Sequence, residues 1–306
     1  MGKKIFSNGI IVALLATFCC ALWGSATPFI KIGYELIIPH RGVASTILFA
    51  GTRFMLSGVL TIAIYSIARR KFLFPKRENW GRVLTASLFQ TVLQYFFFYI
   101  GLSITTGVKG TVLSGANAFF ALLAAGLIFR QEKLTLKKVV ACIIGFAGVI
   151  LINLNGLDFT MNVGDVSVLI SALACGTASV IIKKFSKYED PVVISGYQFF
   201  VGGIVMMVVG ALLGGRMSIT TLPAAGVMIY LAFLSATAFG LWGVLLKYNP
   251  VSKVTIFNFL TPVFGVILST LLLSENSNVP VLNLVITLLL ISAGIFMINY
   301  QKEKKE

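Results

Sequence analysis

The sequence predicts an all-α integral membrane protein of ten transmembrane helices, arranged as two five-helix repeats of opposite orientation. Three observations predict it. Hydrophobic residues make up 58% of the 306-residue chain and charged residues only 11%, with a mean hydropathy of +0.95, and no soluble domain hides that much apolar surface. Apolar runs near the ~20 residues needed to cross a ~30 Å hydrocarbon core follow one another, separated by short charged or Pro/Gly-bearing breaks. Segments of the first half also recur, in order, in the second.

The first run follows Lys3-Lys4 and continues through Trp23 to Pro28 at full spanning length with no clear Ala-x-Ala site. It therefore reads as a retained helix over roughly 9–33 and not as a secretory signal. Further spans are expected over roughly 43–68, 82–104, 108–129 and 136–154, then 163–184, 191–214, 222–246, 251–274 and 280–300. The two repeats are 1–155 and 156–306.

The formal charge of +15 could suggest nucleic acid, but the basic residues lie in the connections between spans. With the N-terminus in the cytoplasm, twenty of the 25 lysines and arginines fall on the inner side, densest at Arg69-Arg70-Lys71 through Arg82. The outer side holds Lys31, Arg41, Lys109 and Arg216, and Arg53 lies within a span. The positive-inside rule then places both termini in the cytoplasm of a multi-pass cell-membrane protein. Orientation accounts for the charge, which removes the case for a nucleic-acid partner.

Cys19, Cys20, Cys142 and Cys175 lie inside apolar runs, and His40 is the single histidine. Neither a disulfide framework nor a metal site is expected, and no cofactor motif occurs. GxSxG, HExxH and CxxC are absent, so no catalytic constellation supports an enzyme. A channel-like pore or a membrane-embedded enzyme remains as the alternative class of function.

The repeat is seen first in AFFALLAAGLIFRQE, ending at Glu132, and TPVFGVILSTLLLSE, ending at Glu275. Residues 50–58, AGTRFMLSG, lie over 195–203, SGYQFFVGG, and residues 147–153, AGVILIN, over 293–299, AGIFMIN. Five spans per copy is an odd number, so the second copy enters the bilayer from the opposite face, the inverted topology that lets one central site open to either side in turn.

Leu22-Trp23-Gly24-Ser25, Arg53-Phe54, Arg130 through Thr135, Gly145 with Gly148, and Pro262 through Glu275 together resemble the drug/metabolite transporter superfamily, EamA type. The likeness covers essentially the whole chain. It departs at Phe119, where that pattern usually carries proline, so a break depending on the proline is not expected in the fourth span. The resemblance implies a secondary transporter of a small metabolite, often an amino acid or related amphipathic or cationic compound, by export, exchange or facilitated diffusion. A homodimer is left open.

Polar groups inside spans cost free energy unless paired or facing a wet cavity, so they nominate the site. Asn117 and Asn258 sit midway along the fourth and ninth spans on stripes of small residues, Gly110-Ser114-Asn117-Ala121-Ala125 and Thr255-Asn258-Pro262-Gly265-Ser269. Each stripe reads either as a close helix contact or as a cavity wall, with the asparagines assigned to the cavity. Trp23, Gln94, Tyr95 and Trp242 offer an aromatic wall with an amide, suited to an amphipathic ligand, while Tyr99 reads as an interfacial anchor.

Arg53, about ten residues into its span, either binds an anionic group of the substrate or ties its helix to neighbouring carbonyls. No carboxylate lies mid-span, so exchange or facilitated flow is expected in preference to carboxylate-relayed proton antiport. Glu132 and Glu275 end matching helices, where a negative charge opposes the helix dipole. They are read as polar stops or as gates, with Arg130 and Lys133 beside Glu132 and Lys109 or Arg216 as partners for Glu275.

Overall fold

The computed structural model describes residues 2–40, 42–105, 107–154, 160–273 and 280–299. Glu275 lies outside the described residues. Among the described residues a single-turn helix, Gly2–Phe6, precedes ten longer ones. These are α1 Gly9–Ile37, α2 Val43–Ala68, α3 Arg77–Ile104, α4 Lys109–Ile128, α5 Leu136–Ile152, α6 Val163–Phe185, α7 Pro191–Leu212, α8 Leu222–Tyr248, α9 Val251–Leu272 and α10 Val281–Asn299. Eight are long and apolar enough to cross a membrane, and α10 carries a shorter apolar run, Leu282–Ile298. The chain is an all-α multi-pass membrane protein.

Local sequence sets the helix starts. Asn8 Oδ1 accepts the Ile10 and Ile11 N–H groups to cap α1, and Asn162 and Asp165 form a reciprocal capping box on α6. Asp190 caps α7 ahead of Pro191, and Thr221 caps α8. At its other end α1 runs beyond the expected boundary, to Ile37. Ile37 and Ile38 are buried there against Met228, Leu231 and Leu234 of α8, so tertiary packing extends the helix.

Three helices are interrupted beside the predicted residues Gln94, Asn117 and Asn258. The bonding in α3 widens to i→i+5 over Leu88–Leu93, α4 breaks at Ala116 and widens over Ala124–Ile128, and α9 tightens over Ile256–Phe259. Such irregular turns re-aim side chains and collect at functional positions. The break in α4 occurs with Phe119, and no proline, in the turn that follows it.

Helix α2 packs on α7, α5 on α10 and α4 on α9, while α3 and α4 pack on α6 as α8 and α9 pack on α1. Exchanging each helix for the one five positions along maps this set of contacts onto itself. The α2/α7 pair is close enough to require glycine: a Cβ on Gly203 would lie 2.2 Å from the Met55 nitrogen, and one on Gly58 would lie 2.4 Å from the Phe200 nitrogen. Gly203 meets Gly51 and Gly58 meets Gly196, so the two helices run antiparallel. In α5/α10, Gly148 meets Thr287 and Gly294 meets Ala141, again antiparallel. Lipid tails give little hydrophobic drive for helices to associate, so such contacts hold them by van der Waals packing.

The four cysteines are free thiols, and three of them are buried. Cys19 and Cys20 donate to the carbonyls of Ala238 and Phe257, which joins α1 to α8 and α9.

Candidate functional site

The site is built outward from Arg53 on α2. Its side chain is only 3% exposed, and Nε donates to the Leu231 carbonyl at 3.3 Å while Nη2 donates to Ser235 Oγ at 2.9 Å. The guanidinium also lies 5.0 Å from the centre of the Phe54 ring, and the Tyr99 hydroxyl faces it and Tyr34. All of these partners are neutral. Among the described residues Arg53 has no carboxylate partner, whereas Lys109, Lys138 and Arg69 each have one.

Arg53 stands at one end of a continuous run of rings. Trp242 meets Trp23 edge-on at 4.8 Å, Trp23 meets Phe239 at 4.9 Å, and Phe239 meets Phe199 at 4.8 Å. Phe199 stacks on Phe54 at 5.2 Å, and Phe54 meets Tyr95 at 4.2 Å. The stacked Phe54 and Phe199 are aligned positions of the two sequence repeats. The run thus links α1, α2, α3, α7 and α8 through predicted residues Trp23, Trp242 and Tyr95, with Phe239, Phe199 and Phe54 as the rings between them.

Three donors on the helices that carry these rings have no acceptor among the described residues. Trp23 Nε1 and Gln198 Nε2 are buried without partners, as is Ser57 Oγ. Gln198 is the repeat mate of Arg53, and its Oε1 accepts from Thr91 of the widened turn in α3 at 3.3 Å. Buried unpaired donors cost about 1–3 kcal/mol each. A wall of rings with orphaned donors and one guanidinium suits an amphipathic solute that brings its own acceptors.

The other predicted residues fall in different surroundings. Asn258 Nδ2 donates to Asn117 Oδ1 at 3.0 Å, so the two mid-helix amides bridge α9 and α4. Both remain half-buried. Their stripes serve close packing: Gly176 of α6 sits on the backbone of Asn117 and Ala121, and Gly24 of α1 on Phe264 and Gly265. Gln94 accepts from Gln90 one turn earlier at 3.1 Å and is half-buried beside Tyr95. Tyr99 corrects its expected place, because it is 5% exposed inside the core and not at an interface.

Glu132 is tied down at the C-terminal end of α4. It accepts from Lys138 Nζ at 2.5 Å, from the Ser252 N–H at 2.9 Å and from Ser252 Oγ at 2.5 Å. The compensating cation is Lys138 of α5, not Arg130 or Lys133, and the other contacts cap the first turn of α9. At the opposite end of α4, Lys109 pairs at 2.7 Å with Asp165, a fully buried carboxylate in the first turn of α6 that also accepts from Thr105. Both ends of α4 are therefore pinned across the two halves of the chain.

Sequence reasoning passed over Phe54, Phe199, Lys138, Ser252 and Asp165. Phe54 and Phe199 had a signal, since each follows an aligned polar residue, Arg53 or Gln198. Lys138 and Ser252 had none, because their contacts join segments that periodicity treats separately.

The model of the EamA-like transporter family matches residues 7–154 and again residues 162–300. An uncharacterized transporter of Bacillus subtilis (strain 168), YvbV, is 27% identical over 300 residues, which cover 96% of this chain and 93% of that protein. An uncharacterized transporter of Archaeoglobus fulgidus is 26% identical over 273 residues, covering 87% and 90%. A chloroplastic WAT1-related protein of Arabidopsis thaliana is 21% identical over 291 residues, covering 91% and 67%. A solved crystal structure 17% identical in sequence superposes with a TM-score of 0.73 over 94% of this chain and 97% of the other, which establishes the fold. The matches span both halves with the same family model, and the chain belongs to the EamA-like transporter family, a family of membrane transporters.

Proposed function

We propose that this transporter moves a small amphipathic solute bearing a carboxylate, amino acids among them, across the cytoplasmic membrane by alternating access. The observation that carries the reading is Arg53: a full positive charge in a membrane interior, held by neutral groups alone beside an aromatic wall. Burying an uncompensated charge is costly, and a substrate carboxylate would offset that cost with a bidentate, charge-assisted pair. Cationic solutes lacking a carboxylate would meet like-charge repulsion at the same place.

Alternating access draws support from the packing of aligned helices. The pairs α2/α7 and α5/α10 run antiparallel, and the family model matches the chain twice, as two inverted five-helix units, 1–155 and 156–306, would produce. Rocking of one unit against the other would expose the Arg53 region to each face in turn. Glu132 with Ser252, and Lys109 with Asp165, cross between the units at opposite ends of α4. We assign them to closure of the two faces, with the Glu132 end and both termini in the cytoplasm.

Counterflow of labelled carboxylate solutes in proteoliposomes tests the reading. Saturable, trans-stimulated uptake is expected with wild-type protein and not with folded Arg53→Gln. Ohmic current would indicate a pore, and a chemically altered solute an enzyme.

A further inference from the structure

The connection between α2 and α3 reads Arg69-Arg70-Lys71-Phe72-Leu73-Phe74-Pro75-Lys76-Arg77, and nothing in the transport reading uses it. It is a rigid element. The Leu73 N–H donates to Ser66 Oγ at 2.9 Å, Tyr197 Oη donates to the Leu73 carbonyl at 3.0 Å, and the Lys76 N–H donates to Glu189 Oε2 at 2.9 Å. With Leu73 and Pro75 turned inward, the residues between them point out: Phe72 is 69% exposed and Phe74 58%. The two rings stack at 6.5 Å, and Phe74 packs on Trp80.

Around these rings the side chains of Arg70, Lys71, Lys76 and Arg77 are exposed and make no ion pair among the described residues. The nearby acids are largely engaged. Asp190 pairs with Arg69 at 2.6 Å, and Glu189 accepts from Asn79 as well as from Lys76. Glu78 alone shares the open groove lined by Lys76 and Arg77. Immediately before the loop, α2 presents Ile67, 77% exposed, and Ile64 on its outer face.

The backbone supplies a further clue. Arg70 holds φ +50°, the left-handed position of a helix-ending motif in which the Lys71 N–H reaches back to the Ser66 carbonyl at 3.0 Å. Glycine suits that position and arginine is strained there, a pattern found where function needs the side chain.

We propose that this loop is a binding site for an anionic phospholipid. The headgroup phosphate lies between Arg70 and Lys71, one acyl chain runs along Ile67 and Ile64, and Phe72 and Phe74 wedge into the interface. Basic clusters at the end of a span attract anionic leaflets, and aromatic rings settle at headgroup depth. A phosphate contact without the apolar face would serve a free anion equally well. The continuity of the cations with lipid-facing isoleucines favours the lipid.

Native mass spectrometry of the purified full chain, titrated with phosphatidylglycerol or phosphatidylcholine, tests the proposal. Phosphatidylglycerol should be retained at about tenfold lower concentration than phosphatidylcholine, with the preference shrinking as salt rises. Arg70→Gly combined with Lys71→Ala should abolish the preference. Arg70→Gly alone should leave the lipid-free melting temperature unchanged or raised, since glycine relieves the backbone strain, so loss of binding would not report misfolding. Phe72→Ser should weaken phosphatidylglycerol retention with every charge in place. Equal retention of the two lipids, a preference that survives in the double variant, or displacement by inorganic phosphate at matched concentration would each overturn the assignment. The transport reading rests on Arg53 and is unaffected by any of these outcomes.

Discussion

The carboxylate of Glu132 accepts the backbone N–H of Ser252 at 2.9 Å, so the end of α4 holds the beginning of α9. A negative charge opposes the dipole of its own helix but favours the N-terminus of the next, and Lys138 completes the pair. Glu132→Gln leaves the buried Lys138 ammonium without its anion and should destabilise by about 3–5 kcal/mol. Glu132→Gln with Lys138→Met should recover much of that loss. Thermal unfolding in detergent reads both, and a single variant within 1 kcal/mol of wild type would show that the clasp contributes nothing.

Arg53→Gln copies the residue that the second repeat places at the matching position, Gln198. The Gln amide nitrogen falls where Arg53 Nε now meets the Leu231 carbonyl, so the fold should persist. Ligand-induced stabilisation by carboxylate solutes, about 2.7 kcal/mol at a concentration 100-fold above Kd, should disappear. An unchanged thermal shift would remove Arg53 from the binding site.

The Asn117–Asn258 bond joins α4 to α9 across the two halves of the chain. Alanine at each position and at both should give a coupling energy of about 0.6–1.7 kcal/mol, the range found for hydrogen bonds between membrane helices. Additive single effects would mean the amides act separately, as solvent- or substrate-facing groups.

Gly203→Ala places a methyl against the Met55 backbone and must part α2 from α7. A loss of about 1–3 kcal/mol is expected from overpacking. Gly226→Ala in α8 is the control, because a Cβ there meets nothing within 4 Å. It should be neutral or better, by up to ~1 kcal/mol of helix propensity. Equal effects at the two glycines would contradict the close crossing.

The helices were legible because each span needs its own run of apolar residues, and the run is visible without knowing any neighbour. The sequence match of residues 50–58 to residues 195–203 likewise picked out the two helices that meet through Gly51, Gly58, Gly196 and Gly203. The aromatic site was only partly legible. Trp23, Tyr95 and Trp242 stood out as amphipathic rings inside spans, but Phe54 and Phe199 had only their places after the aligned Arg53 and Gln198 to mark them until the fold stacked them. Tyr99 misled for the same reason: depth along a helix says nothing of which side the ring takes.

By itself the sequence determined that the chain is an all-α membrane protein and where its long apolar segments lie. Tertiary structure decided which groups satisfy the charges. Arg53 finds Ser235, Lys109 finds Asp165, and Glu132 finds both Lys138 and Ser252. The physical reason is that hydropathy is a property of one segment against lipid, whereas a buried charge must be met by a group on another helix, far along the chain. Only the packed bundle brings the two together.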